Sequence, residues 1–116
     1  MNIHIIKSKQ KDMRYATLGD WYFDVVGDLV IEVAVDDLSE DHQNLIALHE
    51  LIEALLCRKR DITQSSVDIF DIDYGEKEGE PGDQPTAPYR KEHRFAMLIE
   101  HLMAHELGVE GYGTVT

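Results

Sequence analysis

Three ionisable residues interrupt an apolar stretch of the sequence, "LIALHELIEALLC" at positions 45–57. They are His49, Glu50 and Glu53. An α-helix turns about 100° per residue, so His49 and Glu53, four residues apart, share one face of the helix predicted here. That face also carries leucine and isoleucine side chains. Because burying an unpaired carboxylate costs several kcal/mol, we expect a compensating partner for these groups.

A second stretch, at 88–107, carries a similar polar intrusion. His93 lies among apolar and small residues of this predicted helix, and Glu100 follows about two turns later on the same face. The small side chains of Ala96 and Ala104 on the same face would let another helix approach closely. We therefore expect the two long helices to pack with their polar intrusions together.

Packed in this way, the two helices would bring three metal-ligating side chains into one place. We predict that His49, Glu53 and His93 hold one divalent metal, Zn²⁺ being the first choice and another divalent ion an alternative. Three protein ligands leave a position open, as catalytic zinc sites require. Glu50 projects about 100° away from His49 and is predicted to be the catalytic base that activates a water molecule.

The run His49-Glu50-Leu51-Ile52-Glu53 resembles the H-E-x-x-H motif of zincin metallopeptidases, with Glu in place of the second His. The resemblance covers residues 29–60 plus His93, and it implies a sheet before the motif helix, a third ligand from a later helix and hydrolysis of peptides. The phrases "HELIEALLC", "PGDQP", "APYRKEH" and "ELGV" also look like small uncharacterised proteins of phages and prophages. That second resemblance implies an accessory protein that interacts with host components, and it assigns no activity.

Other interpretations of the cluster remain open. The same residues could form a structural metal site, a buried hydrogen-bonded network or part of a solvated groove. An acidic interaction protein, an inhibitor or nucleic-acid mimic, is then the alternative function. Glu50-x-x-Glu53 also fits half of the Mg²⁺ motif of all-helical nucleotide pyrophosphohydrolases, but the later E-x-x-D is absent from the second helix and the N-terminal third is rich in strand-forming residues.

Composition narrows the function classes further. The chain has 116 residues, which predicts a single domain over 1–116, and a net charge of -12, which disfavours direct binding to nucleic acid. The only dense basic run is Arg58-Lys59-Arg60, and it suits the C-terminal end of a helix.

No apolar run is long enough to span a membrane, no signal peptide is recognised, and one cysteine fits a reducing compartment. A cytoplasmic location is expected, the host cytoplasm if the chain is phage-encoded; the substrate or partner and the oligomeric state stay open.

These features predict an α+β fold, a small antiparallel β-meander packed against two long helices. Three or four strands are expected within 2–8, 13–18, 21–26 and 29–35, followed by helices at 40–59 and 88–107 with a short helix starting near Thr63. Ser39 is the predicted N-cap of the first long helix, and Gly108 ends the second. A polar loop is expected at 74–88 and a flexible tail at 109–116. The second long helix, apolar on two sides, is expected to lie between two layers.

Overall fold

The computed structural model describes residues 1–74 and 80–112. Three strands are followed by three helices: β1 (Ile3–Ser8), β2 (Gly19–Phe23), β3 (Leu29–Ala34), α1 (Glu40–Lys59), α2 (Gln64–Tyr74) and α3 (Arg90–Leu107). Short 3₁₀ turns lie at Gln10–Asp12 and Pro81–Asp83. The predicted α+β class is confirmed, with two long helices of 20 and 18 residues after an N-terminal sheet.

The sheet is mixed, so the prediction of a purely antiparallel meander is wrong. Its strand order is β1-β3-β2, with β1 parallel to β3 and β2 antiparallel to it. The segment 9–18 carries the chain past the end of β3 to the far edge of the sheet. Ten residues easily span the two strand spacings of about 4.8 Å each, and β3 fills the slot between the outer strands. The strand predicted at 13–18 does not form, because those residues make this crossing.

The central strand β3 is apolar on both faces. Leu29, Ile31 and Val33 are completely buried, and Val30 on the opposite face is 5% exposed. The polar residue in the strand, Glu32, accepts a hydrogen bond from the Ser8 hydroxyl at 2.7 Å. The main core lies between this sheet and the helices, where Trp21, Ala47, Ala54, Cys57 and Val67 belong to one buried cluster.

Helix α1 begins and ends where the sequence predicts. The Ser39 hydroxyl accepts a hydrogen bond from the backbone N–H of His42 at 3.1 Å, as an N-cap does. Helix α2 begins at Gln64, next to the predicted start at Thr63. Helix α3 begins at Arg90, two residues later than predicted, and ends before Gly108, whose φ of 70° is the left-handed conformation that glycine adopts readily.

The surroundings of α3 differ from the prediction. One side packs against α1, but the opposite apolar side is exposed, so the helix does not lie between two layers within the described chain. Part of the predicted polar loop at 74–88 falls on residues 75–79, which lie outside the described residues, as does 113–116 of the predicted tail. Of the tail, Tyr112 packs its ring against His42 and His101. Among the described residues, no helix combines the length and apolar character needed to cross a membrane.

Candidate metal centre

The structure brings the three predicted ligands together between α1 and α3. His49 and Glu53 project from α1 and His93 from α3, and all three are nearly inaccessible, at 7%, 5% and 4% exposed. Ala96 and Ala104 are completely buried in α3, because their small side chains allow the two helices to approach. The helical spacing of the sequence therefore predicted which side chains would meet.

The three side chains present one ligand atom each at the corners of a small triangle. His49 Nε2 lies 3.2 Å from Glu53 Oε2 and 3.2 Å from His93 Nδ1. Glu53 Oε2 and His93 Nδ1 are 3.0 Å apart. Two ring nitrogens carry at most two protons, so hydrogen bonds can occupy at most two of the three edges. A cation between the three atoms would interact with all of them at once.

The size of this triangle fits a small divalent ion. Zinc binds imidazole nitrogen and carboxylate oxygen at about 2.0–2.2 Å, which puts neighbouring ligands of a tetrahedron about 3.3–3.6 Å apart. The edges of the triangle, 3.0–3.2 Å, are slightly shorter, so small side-chain shifts would open the triangle to that separation. Two imidazoles and one carboxylate are also a donor set typical of zinc rather than magnesium.

The carboxylate of Glu53 is held from its other side by the sheet. Trp21 on β2 donates its indole N–H to Glu53 Oε1 at 3.1 Å, while Oε2 faces the two imidazoles. Trp21 is itself 4% exposed, so this hydrogen bond is shielded from water. The sequence did not identify Trp21 as a site residue, because its contact depends on how β2 packs against α1.

The imidazole of His49 is oriented by a second carboxylate. Its Nδ1 donates to Glu100 Oε1 at 2.8 Å, so that in the neutral ring the Nε2 lone pair would face the triangle. Glu100 Oε2 in turn accepts a hydrogen bond from the Tyr112 hydroxyl. Ligating histidines in metalloproteins are commonly fixed in this way by a carboxylate on the far nitrogen. The sequence placed Glu100 near His93, and the structure pairs it with His49.

The imidazole of His93 is positioned by the turn before α3. Its Nε2 lies 3.1 Å from Glu80 Oε2 and 3.2 Å from Asp83 Oδ1, although neither approach has the direction of a hydrogen bond. Gly82 lies directly against the ring, since a Cβ built there would be 2.5 Å from His93 Cγ. The turn therefore sets the position of the ring by close contact and by the charge of its two carboxylates.

Without a metal, the cluster is a set of ion pairs. Burial opposes protonation of His49, but hydrogen bonds to Glu100 and Glu53 outweigh it and raise its pKa to about 11. Burial likewise opposes protonation of His93, but the hydrogen bond to Glu53 and the carboxylate of Glu80 close to Nε2 outweigh it and raise the pKa of His93 to about 10. Burial favours protonation of Glu53, but both histidines together lower its pKa to about 2. A metal must therefore displace protons from the two imidazoles.

Glu50, the predicted base, lies at the same cavity. A cavity of about 900 Å³ is lined by Glu50 together with all three residues of the triangle. The carboxylate rests against Gly19 of β2, where a Cβ would be 2.6 Å from Glu50 Oε1. It makes no hydrogen bond within 1–74 and 80–112. Burial and then the charge of Glu53 raise the pKa of Glu50 well above its ordinary value.

The other carboxylates of the cavity each have a polar partner. Arg14 donates to both carboxylate oxygens of Asp20, at 2.8 and 3.1 Å, and reaches Asp68 at 3.3 Å. The Tyr89 hydroxyl donates to Asp71, whose pKa burial raises to about 6, and Glu80 lies in ion-pair contact with His93. Among the described residues that line the cavity, Glu50 is thus the carboxylate that has neither a hydrogen bond nor an ion pair.

Comparison with known proteins does not identify a family or a function for the chain. No family model, curated protein or solved structure matches the chain. The zincin-like and phage-like resemblances of the sequence accordingly stay predictions, and the chemistry of the site follows from its own geometry.

Proposed function

We propose that the chain is a hydrolase that uses one divalent metal ion, with Zn²⁺ as the first candidate. His49 Nε2, Glu53 Oε2 and His93 Nδ1 would hold the ion. One observation carries the proposal: three ligand atoms form a triangle of 3.0–3.2 Å at the wall of a cavity that also contains the unpaired carboxylate of Glu50. The zincin-like order of His49, Glu50 and Glu53 in the sequence supports the same assignment.

The division of labour among the residues follows from their contacts. A divalent ion held by these three residues would supply a Lewis acid, which polarises the scissile group and lowers the pKa of water. Glu50 takes a proton from the attacking water onto its carboxylate and passes it to the leaving group. A raised pKa suits this role, because an efficient base has a pKa near the working pH. Trp21 and Glu100 keep Glu53 and His49 in their ligating orientations.

The cavity admits a substrate the size of a short peptide or a drug-like molecule. Its volume of about 900 Å³ is at the upper end of the range for small-molecule sites. Peptide hydrolysis follows from the zincin resemblance, and the site chemistry serves esters and other amides equally well. Phosphoesters are disfavoured, because the wall of the cavity carries more carboxylates than cationic groups and would repel a phosphate.

The alternative is a non-enzymatic acidic interaction protein in which the cluster only stabilises the fold. A specific observation favours it: each imidazole already lies between carboxylates, His49 between Glu53 and Glu100, and His93 between Glu53 and Glu80. Protonated histidines would close this network as ion pairs with no metal. The net charge of -12 suits an inhibitor that occupies a basic partner.

Metal analysis of the untagged protein distinguishes the two functions. We expect about one equivalent of zinc in the wild type, and loss of that equivalent in both His93→Ala and Glu53→Gln. His105→Ala is the matched control, because it removes an exposed histidine from the same helix outside the triangle. Circular dichroism on each variant verifies that loss of metal is not loss of fold.

A wild type that carries no zinc, takes up none on titration and stays folded with a chelator would overturn the metal site. The ion-paired network would then be the better account of the cluster. A partner captured by the wild type and equally by His49→Ala would support the interaction protein.

A further inference from the structure

The outward side of α3 carries an exposed apolar stripe. Phe95, Leu98 and Leu102 are 48%, 46% and 45% exposed. With His93 set at zero on the helical wheel, these three side chains lie between about 140° and 200°, on the side opposite the candidate metal centre. Exposed apolar side chains that adjoin on one helix face are typical of a protein interaction surface rather than of a solvated one.

Opposite charges stand at the two ends of this stripe. Lys91 lies at about 160° and Glu106 at about 220°, in line with the apolar residues. Both are exposed, and neither pairs with an oppositely charged group in the part of the chain that the structure describes. The stripe therefore begins with a cation, continues with three apolar side chains and ends with an anion.

We propose that this stripe binds the same stripe of a second copy of the chain, with the two α3 helices antiparallel. If the twofold axis passes between Leu98 and Ile99, two residues face each other across the interface when their numbers add up to 197, the sum of 98 and 99. Lys91 of each copy then faces Glu106 of the other, because 91 and 106 also add up to 197. A twofold interface is isologous, so both ion pairs form together.

The same axis also matches the apolar part of the stripe. Phe95 of each copy faces Leu102 of the other, and Leu98 of each copy faces Ile99 of the other next to the axis. A parallel arrangement would instead place Lys91 against Lys91 and Glu106 against Glu106, which is unfavourable. The stripe thus complements itself in both charge and apolar pattern. We therefore infer that its partner is a second copy of the chain, since an unrelated partner would not require charges arranged about a twofold axis.

The strength of the contact follows from its size. An 18-residue helix is about 27 Å long, so two such helices form a small interface. The apolar side chains supply most of the affinity, while exposed ion pairs mainly set orientation. Each copy carries a net charge of -12, whose repulsion opposes association at low salt. We expect a dimer that dissociates in the micromolar range and tightens when salt screens that repulsion.

Sedimentation velocity on the full chain, from micromolar to near-millimolar concentration, tests the surface. The wild type should shift from monomer to dimer, and Leu98→Glu should raise the dissociation constant at least about tenfold, since it places two like charges beside the axis. Val25→Glu is the matched control. It adds the same charge at a residue that is 104% exposed in the β2–β3 turn, far from α3 in sequence, and should leave the dissociation constant unchanged.

Charge exchange tests the antiparallel register. Lys91→Glu and Glu106→Lys should each weaken the dimer severalfold, because each turns two attractions into two repulsions, and the double variant should restore it. Circular dichroism checks that every variant is folded. A wild type that is monomeric throughout, a dimer that tolerates Leu98→Glu, or a double variant no tighter than the single variants would each overturn the proposal.

Discussion

Glu50 is the residue on which the proposed chemistry depends most directly. Glu50→Gln keeps the size of the side chain but removes the base. We expect turnover to fall by about 10²–10⁴-fold, the usual contribution of a general base, while the zinc content stays unchanged. The measurement is kcat on the best substrate from a panel of peptides, amides and esters, with metal analysis of the same samples. Unchanged turnover would remove Glu50 from the mechanism.

Two glycines offer a matched pair of substitutions around the site. An alanine Cβ at Gly82 would lie 2.5 Å from the His93 ring, and one at Gly19 would lie 2.6 Å from Glu50. Gly82→Ala should therefore displace a ligand and weaken zinc binding by about 10–100-fold. Gly19→Ala should displace the base and the neighbouring Ile46 side chain but none of the three ligands, so it should lower turnover with little effect on zinc affinity. Competition with a chromogenic chelator measures the affinities of both variants.

The opposite pattern, or equal effects of the two substitutions on both quantities, would contradict this separation of metal binding from base catalysis. Thermal unfolding of both variants serves as the control. Each new methyl group meets a side chain rather than backbone, so both proteins are expected to fold.

The sequence predicted which residues share one face of a helix better than it predicted the contacts that these residues make with other elements. His49 and Glu53 share a face by helical spacing alone, and the small residues on α3 indicated where His93 would be approached. Two contacts were not predicted: the pairing of His49 with Glu100 and the hydrogen bond from Trp21 to Glu53. Both depend on how far each element is shifted along its neighbour and rotated about its own axis. Helical periodicity carries no information about this shift or this rotation.

At the scale of elements, the helix ends were predictable and the strand order was not. Ser39 and Gly108 mark helix ends through local backbone chemistry, which acts within a few residues. Strand pairing is decided across the chain, and alternating side chains look the same in parallel and antiparallel neighbours. The apolar residues on both faces of β3, Val30 and Ala34 included, were the signal that could have identified the central strand. The predicted meander places β2 in the centre instead.

The link from β2 to the candidate metal centre can be tested at Trp21. Trp21→Phe keeps a buried aromatic ring but removes part of the indole, including the N–H that bonds to Glu53 Oε1. We expect a loss of at least about 1–3 kcal/mol in the free energy of unfolding, because a buried carboxylate oxygen loses its donor and the smaller ring leaves a void. Urea denaturation of the metal-free protein measures it. Trp21 is the single tryptophan, so circular dichroism must follow the unfolding, and an unchanged midpoint and slope would show that the bond contributes nothing.

At the scale of the whole molecule, the two proposed surfaces lie on opposite sides of α3. The side that packs on α1 carries His93 and Glu100, while the outward side carries the apolar stripe centred on Leu98. None of the three apolar residues of the stripe lines the cavity. The stripe and the site can be altered independently, so the variants proposed for one serve as controls for the other.

The dependence of stability on pH should have opposite signs with and without metal. In the metal-free protein, His49 and His93 have pKa values of about 11 and 10, well above their ordinary value of 6.5. Their ion pairs stabilise the fold fully below pH 6.5, and that contribution is lost as the pH rises toward 10 and 11. The raised pKa of Glu50 acts in the same direction. Glu53, with a pKa of about 2, loses its contribution only as the pH falls below 4.5.

With zinc present, the imidazoles must be deprotonated before they bind, so the stabilisation by metal grows as the pH rises from 6 to 8. We therefore expect the midpoint of thermal unfolding to fall over this range with a chelator and to rise with excess zinc. Differential scanning calorimetry at fixed ionic strength measures both curves. His93→Ala is the control, and its two curves should coincide, because it cannot complete the triangle. Parallel curves for the wild type would show that zinc does not bind through the two histidines.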